Sequence, residues 1–153
     1  MRCPRCERPM GQQRLHAEGG AYRGAYVVVW SCAGCRVTSL DLQSVAARRS
    51  SAHARLSATP LCRSAERVSE ACGGCLASLQ RLTISWDRHW AEIEECPRCA
   101  LLYLDAGELA RLASMLEASA DVPTGRWLAE DESAATEAGA VTDALLAWLG
   151  DAP

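Results

Sequence analysis

The stretch Cys96-Pro97-Arg98-Cys99-Ala100-Leu101-Leu102-Tyr103-Leu104-Asp105-Ala106-Gly107-Glu108-Leu109 joins half of a metal site to the start of a helix. Two thiols separated by two residues can hold one metal ion from a single tight turn, and Pro97 sets φ for that turn. Cys96 and Cys99 therefore read as a zinc knuckle. Further on, Asp105 can cap a helix, and Glu108 can bond back to the N–H of the cap residue, which makes a capping box.

The arrangement recurs upstream, where Cys32-Ala33-Gly34-Cys35 is followed by Leu40-Asp41. Each of these knuckles has a partner nearer the N-terminus: Cys3-Pro4-Arg5-Cys6 before Cys32, and Cys72-Gly73-Gly74-Cys75 before Cys96. Met10 and Leu79 stand at the same distance past these first knuckles, and Gln-Arg-Leu follows both, as Gln13 to Leu15 and Gln80 to Leu82. The chain is a tandem duplication. Residues 1–61 form a first zinc ribbon with a helix (a degenerate copy), 62–121 a second ribbon with a helix, and 122–153 an acidic helical tail.

A unit of about 70 residues buries too little apolar surface to be comfortably stable alone and needs a staple. Structural zinc supplies roughly 10–16 kcal/mol per site. Eight of the nine cysteines fall in four C-x-x-C pairs, a spacing that scattered disulfides do not require. No charged, apolar leader precedes Cys3, and the apolar run from Ala25 to Trp30 is too short to span a bilayer. The expectation is a soluble, cytoplasmic protein with reduced thiols and no membrane association.

The net charge of −3 hides a split. Residues 1–100 hold 14 Arg against 9 acidic residues, a surplus of +5, whereas residues 101–153 hold 2 Arg against 10, a deficit of −8. All the basic residues are Arg, which with abundant Ala is the mark of a GC-rich genome.

Between Cys6 and Cys32 a polar strand at Gln12 to His16, a Gly-rich turn and the β-branched run Tyr26 to Trp30 read as a β-hairpin delivering two knuckles to one metal. In the second copy Leu82 to Trp86 and Trp90 to Glu94 make the same hairpin, with a shorter loop between the strands. Helices are expected from Asp41 to about Ser57, over Ser64 to Ala71, and after Asp105 through Leu109, Leu112, Met115 and Leu116. In the tail, Val141, Leu145, Trp148 and Leu149 fall at helical spacing and need a partner, either the protein's own core or another chain. The expected fold class is thus small α+β and metal-stabilised: two tandem zinc ribbons, each followed by a helix, and a C-terminal helical tail.

Four thiolates suit a closed tetrahedral zinc site with no open position for water or substrate, so the sites are structural. The ligands are assigned as Cys3, Cys6, Cys32 and Cys35 for one ion and Cys72, Cys75, Cys96 and Cys99 for a second. A cross-braced pairing of knuckles from different repeats costs only about 1 kcal/mol more in loop closure, so the hairpins decide for pairing within each repeat. Iron in rubredoxin-like sites is the alternative. Such knuckles place Gly after the second Cys, where this chain has Glu7, Arg36, Leu76 and Ala100. Cys62 reads as a small buried hydrophobe, His16, His53 and His89 as surface or turn residues, and Glu108 as a cap. No nucleophile elbow, phosphate loop or paired-carboxylate motif is present, so no enzyme and no small-molecule substrate is expected.

The second-repeat segment from Cys96 to Leu109 resembles the C-P-x-C-G-G-x-W-L-D-x-G-E-L signature of bacterial TFIIB-type zinc-ribbon proteins, with Tyr103 where that family has Trp. The full signature covers about residues 72–112 and a degenerate copy covers about 3–48. The resemblance implies a zinc-ribbon fold and an association with transcription. The function expected is a non-enzymatic interaction module carrying two zinc ions and binding a protein partner. Nucleic acid is the alternative ligand, because residues 1–68 hold 11 Arg against 4 acidic residues. A rubredoxin-like iron electron carrier is the third reading.

Overall fold

The computed structural model describes residues 1–17, 26–41, 62–86, 89–108, 111 and 127–128. Its strands, in chain order, are β1 (Gly11–Ala17), β2 (Tyr26–Ser31), β3 (Thr38–Asp41), β4 (Cys62–Ala71), β5 (Ser78–Trp86), β6 (His89–Glu95), β7 (Leu101–Leu104) and β8 (Trp127–Leu128). The β1–β2 and β5–β6 pairs are the two expected hairpins. All eight strands belong to one sheet in the order β4-β5-β6-β7-β3-β2-β1-β8.

The repeats meet where β3 pairs antiparallel with β7, through Thr38↔Leu104, Ser39↔Tyr103 and Leu40↔Leu102. Since Ser39 and Tyr103 occupy corresponding positions after the second knuckle of each repeat, this register is that of an approximate two-fold axis through the Ser39–Tyr103 pair. Further out the correspondence continues. Ala71↔Ser78 at the second repeat's first knuckle matches the single bridge Arg2↔Pro9 at the first, and β8 runs along β1 on the side where β4 runs along β5. The Gln-Arg-Leu segments are not counterparts: Gly11 faces Ser31 and Gln80 faces Glu95, so Gln80 corresponds to Gly11.

Alternation sorts the side chains. One face carries Leu15 and Val29, then Leu40 and Leu102 at the junction, then Ile93 and Leu82, all at most 3 % exposed. Each such side chain contributes about 1.5–3 kcal/mol on burial. Opposite lies the row Trp30, Ser39, Tyr103, Glu94 and Arg81, each paired with the next across the ladders.

The helical expectations need correction. Residues 64–71 lie in β4, not in a helix. Cys62, Ala65, Val68 and Ala71 fall at every third position and imitate a helical stripe, but pairing with β5 wins, at the cost of two register shifts along the strand. Asp41, expected as the first residue of a helix, is the last residue of β3 and pairs with Leu101. Helix among the described residues is confined to 106–108 and 111, so a helix following each ribbon is not supported as a rule. The rest of the helices expected at 41–57 and after Asp105, and the tail stripe from Val141 to Leu149, lie outside the described residues. The described part of the tail is a strand, β8. No helix among the described residues is long and apolar enough to cross a membrane.

Candidate metal centres

All four knuckles use one backbone scheme. The N–H of the first Cys donates to the carbonyl five positions on, and its carbonyl accepts from the N–H four positions on: Cys3 with Arg8 and Glu7, Cys32 with Val37 and Arg36, Cys72 with Ala77 and Leu76, Cys96 with Leu101 and Ala100, all at 2.8–2.9 Å. The residue after the second Cys must take a left-handed conformation to close this loop. Glu7, Arg36, Leu76 and Ala100 do so at φ 59°, 62°, 61° and 52°. Glycine would adopt it freely, whereas each of these residues costs about 1–2 kcal/mol.

The turns gather the thiols within each repeat, as Cys3, Cys6, Cys32 and Cys35 and as Cys72, Cys75, Cys96 and Cys99, the four sulfurs of a group lying within 4.8 Å of one another. The nearest approaches follow one rule: Cys3 to Cys35 is 3.3 Å and Cys6 to Cys32 3.4 Å, while Cys72 to Cys99 and Cys75 to Cys96 are each 3.5 Å. These are far longer than the ~2.05 Å of a disulfide. They approach the ~3.8 Å edge of a tetrahedron built on metal–sulfur bonds of about 2.3 Å. Both groups can therefore hold a metal ion, and an all-thiolate donor set fits zinc or iron.

Backbone N–H groups prepare the sulfurs for a cation. The amide of Cys35 leads in lowering the Cys32 thiol to about 6. Burial pushes Cys72 up, but the Tyr103 hydroxyl and the amides of Gly74 and Cys75 outweigh it and bring that thiol to about 7. Burial drives Cys3 the other way, to about 12, and raises Cys99 further. One thiol in each group is thus drawn toward the thiolate form before any metal arrives.

The two groups are not separate. One apolar cluster contains Cys3, Cys32, Cys72 and Cys96 together with Met10, Val37, Leu79, Leu101 and Tyr103. The first knuckles of the two repeats touch: Arg2 N–H donates to the Gly73 carbonyl at 3.4 Å, and a Cβ at position 73 would overlap the Arg2 carbonyl oxygen. Only glycine allows that approach. Between these knuckles lies an open groove of about 610 Å³, lined by Arg2, Cys3, Pro4 and Glu7 and by their counterparts Ala71, Cys72, Gly73 and Leu76, with Ser69 and Glu70 at one side.

The capping box forms as expected: Asp105 N–H donates to Glu108 Oε2 at 2.7 Å, and Glu108 N–H donates to Asp105 Oδ1 at 2.8 Å. Cys62 lies in neither thiol group. It is half-buried in the edge strand β4, its thiol donating to the Ser64 carbonyl at 3.3 Å. His16 and His89 stand in strands β1 and β6, and His53 lies outside the described residues. What the sequence did not disclose is the part played by Tyr103 and Arg5. The hydroxyl of Tyr103 lies 3.1 Å from Cys72 Sγ, and Arg5 forms ion pairs with Glu94 and Asp105 of the other repeat. The one available signal was a lone aromatic in an otherwise aliphatic strand following a knuckle. No protein-family model matches the chain, and neither a curated protein nor a solved structure matches it.

Proposed function

We propose that the protein is a non-enzymatic zinc-ribbon module that carries two structural zinc ions and presents a surface to another protein. The observation that carries this reading is the pair of four-thiol groups. Each donates four sulfurs to one ion, so a tetrahedral metal is saturated by protein and stabilises the fold instead of activating water. The surface gives a protein partner an apolar contact at Leu76, 80 % exposed. Leu76 stands at the mouth of the groove between the first knuckles, in a conformation glycine would take more cheaply. The resemblance of Cys96 to Leu109 to TFIIB-type ribbons supports a role in association with transcription.

The arginine surplus of residues 1–68 favours nucleic acid as the second reading. Crosslinking and affinity capture of the full chain from its native cells, read by mass spectrometry, tests the first. A specific protein that is captured by the native chain and lost with Leu76→Glu supports it, and recovery of nucleic acid alone would reverse the order. Visible absorption of the purified protein separates zinc from iron, because an oxidised iron tetrathiolate is coloured.

A further inference from the structure

The two thiol groups match in the C-x-x-C spacing of their knuckles, in knuckle hydrogen bonds and in burial. In each, the first Cys of either knuckle is at most 2 % exposed and the second is half-buried. A difference in their surroundings lies at the two-fold axis. There Tyr103 and its counterpart Ser39 are directly opposed across β7 and β3, and opposed side chains project from the same face with Cβ atoms about 4.5–5.5 Å apart. Two large side chains would compete for one space. Tyr103 takes it, 1 % exposed, and Ser39 is fully buried with an Oγ that has no hydrogen-bond partner among the described residues.

The tyrosine hydroxyl serves the second group alone. It accepts from the Gly73 N–H at 3.1 Å and lies 3.1 Å from Cys72 Sγ, with Met1 Sδ beyond at 3.8 Å. A metal-bound thiolate has no proton to give, so the hydroxyl is the donor to Cys72. The Gly74 N–H adds a second contact to the same sulfur at 3.4 Å. Donors of this kind withdraw charge from the sulfur, making it a poorer target for protons and electrophiles. Such outer partners are worth about 10–100-fold in metal affinity.

On the reading that both groups hold zinc, we infer that Tyr103 is a positioning residue that makes the two centres unequal: the centre at Cys72, Cys75, Cys96 and Cys99 retains its metal, and that at Cys3, Cys6, Cys32 and Cys35 releases first. The first repeat is then the part of the molecule whose thiols answer to chelators or electrophiles, while the second stays folded.

The test uses the full chain loaded with two equivalents of zinc, titrated with EDTA and pulsed with iodoacetamide, the modified cysteines being identified by peptide mass spectrometry. Cys3, Cys6, Cys32 and Cys35 should become modified at about 10–100-fold lower chelator than the other four. Tyr103→Phe should bring the two curves together, and Ser39→Ala should leave them apart. In the cobalt-loaded protein, Tyr103→Phe should move the sulfur-to-metal charge-transfer absorption to lower energy, a change that packing alone would not produce. Coincident curves in the native chain, a reversed order, or curves that remain apart in a folded Tyr103→Phe protein would overturn the inference. If that variant does not fold, the labelling order of the native chain decides. A native chain that binds fewer than two metals would instead overturn the zinc reading.

Discussion

Arg5, in the first knuckle of the first repeat, reaches Asp105 at the start of the second repeat's helix, with Nη1 3.4 Å from Oδ2. Its other nitrogen lies 3.6 Å from Glu94 Oε2, and Arg81 approaches the opposite oxygen of Glu94 at 3.4 Å. Arg5 and Asp105 are each more than a third exposed, so that contact contributes about 0–1 kcal/mol. Glu94 differs, because its side chain is only 8 % exposed.

Loss of either arginine still leaves Glu94 one partner, and loss of both leaves a nearly buried carboxylate with neither. Arg5→Ala and Arg81→Ala should each cost about 1 kcal/mol. The double variant should exceed their sum by about 1–2 kcal/mol, since an uncompensated buried charge pays its full desolvation. Urea unfolding of the four proteins of the cycle measures the coupling, and strict additivity would show that Glu94 is solvated.

Metal content is the next quantity to measure. Native mass spectrometry should find two zinc ions per chain, and Cys62→Ser should keep both, because that thiol stands apart from the two groups. Cys99→Ser opens a tetrahedral site and frees the hairpin from β7, so it should lose one ion and melt well below Cys62→Ser. Equal melting of the two variants would count against the ligand assignment.

The strained knuckle residues make a sharper test of backbone energetics. Leu76 is 80 % exposed at φ 61°, so its side chain contributes little burial in the free protein. Leu76→Gly relieves about 1–2 kcal/mol of strain against about 0.5–1 kcal/mol of added chain entropy. The zinc-loaded protein should therefore gain up to about 1.5 kcal/mol. Leu76→Val, with a β-branched side chain in the same conformation, should lose stability. If both shift the melting temperature in the same direction, the turn is not strained.

Glu108 offers a pH signature. Burial raises its carboxyl to about 7, the Asp105 N–H opposes this, and the charges of Glu94 and Asp105 raise it further. The folded state thus prefers the protonated form, while the unfolded chain titrates near ~4.3. The stability that proton confers is complete below the unfolded value and lost as pH rises through about 7. Glu108→Gln keeps an acceptor for the Asp105 N–H without the charge. Its melting temperature relative to the native chain should rise from pH 6 to pH 8, and a constant difference would remove Glu108 as the titrating group.

The knuckles and hairpins are legible in the sequence because their determinants are local: C-x-x-C spacing, β-branched runs, and an Asp placed three positions before a Glu. The joining of the repeats is not, because β3 to β7 pairing brings together strands remote in sequence and leaves no periodic trace in either of them. Residues 64–71 mislead for a related reason. Their every-third-position pattern is helical in isolation, and only β5 alongside makes them a strand. Tyr103 can be seen as an aromatic, but that its hydroxyl meets Cys72 depends on the folding of the second ribbon, which brings together residues 31 apart in sequence.

The two-fold relation of the repeats also bears on the acidic tail, since β8 lies against β1 of the arginine-rich repeat through His16↔Leu128 and Ala17↔Trp127. A tail anchored there can screen the basic residues of the first repeat from phosphate. Residues 129–153 hold six acidic residues and no Arg, so deleting them while keeping β8 moves the net charge from −3 to +3. With two zinc tetrathiolates, each formally −2, the corresponding values are −7 and −1. If phosphate contacts exist, the truncated protein should bind DNA or RNA more tightly than the full chain, with an affinity that falls steeply as salt rises. Replacing Arg48 and Arg49 by Ala should then flatten the log–log salt slope by about 0.9 for each lost phosphate contact. Zinc content and circular dichroism come first, because Val141, Leu145, Trp148 and Leu149 form an apolar stripe that the core itself can require, and its loss would then unfold the chain. A folded, zinc-loaded truncation that ignores nucleic acid at low salt would eliminate screening and leave a protein as the partner.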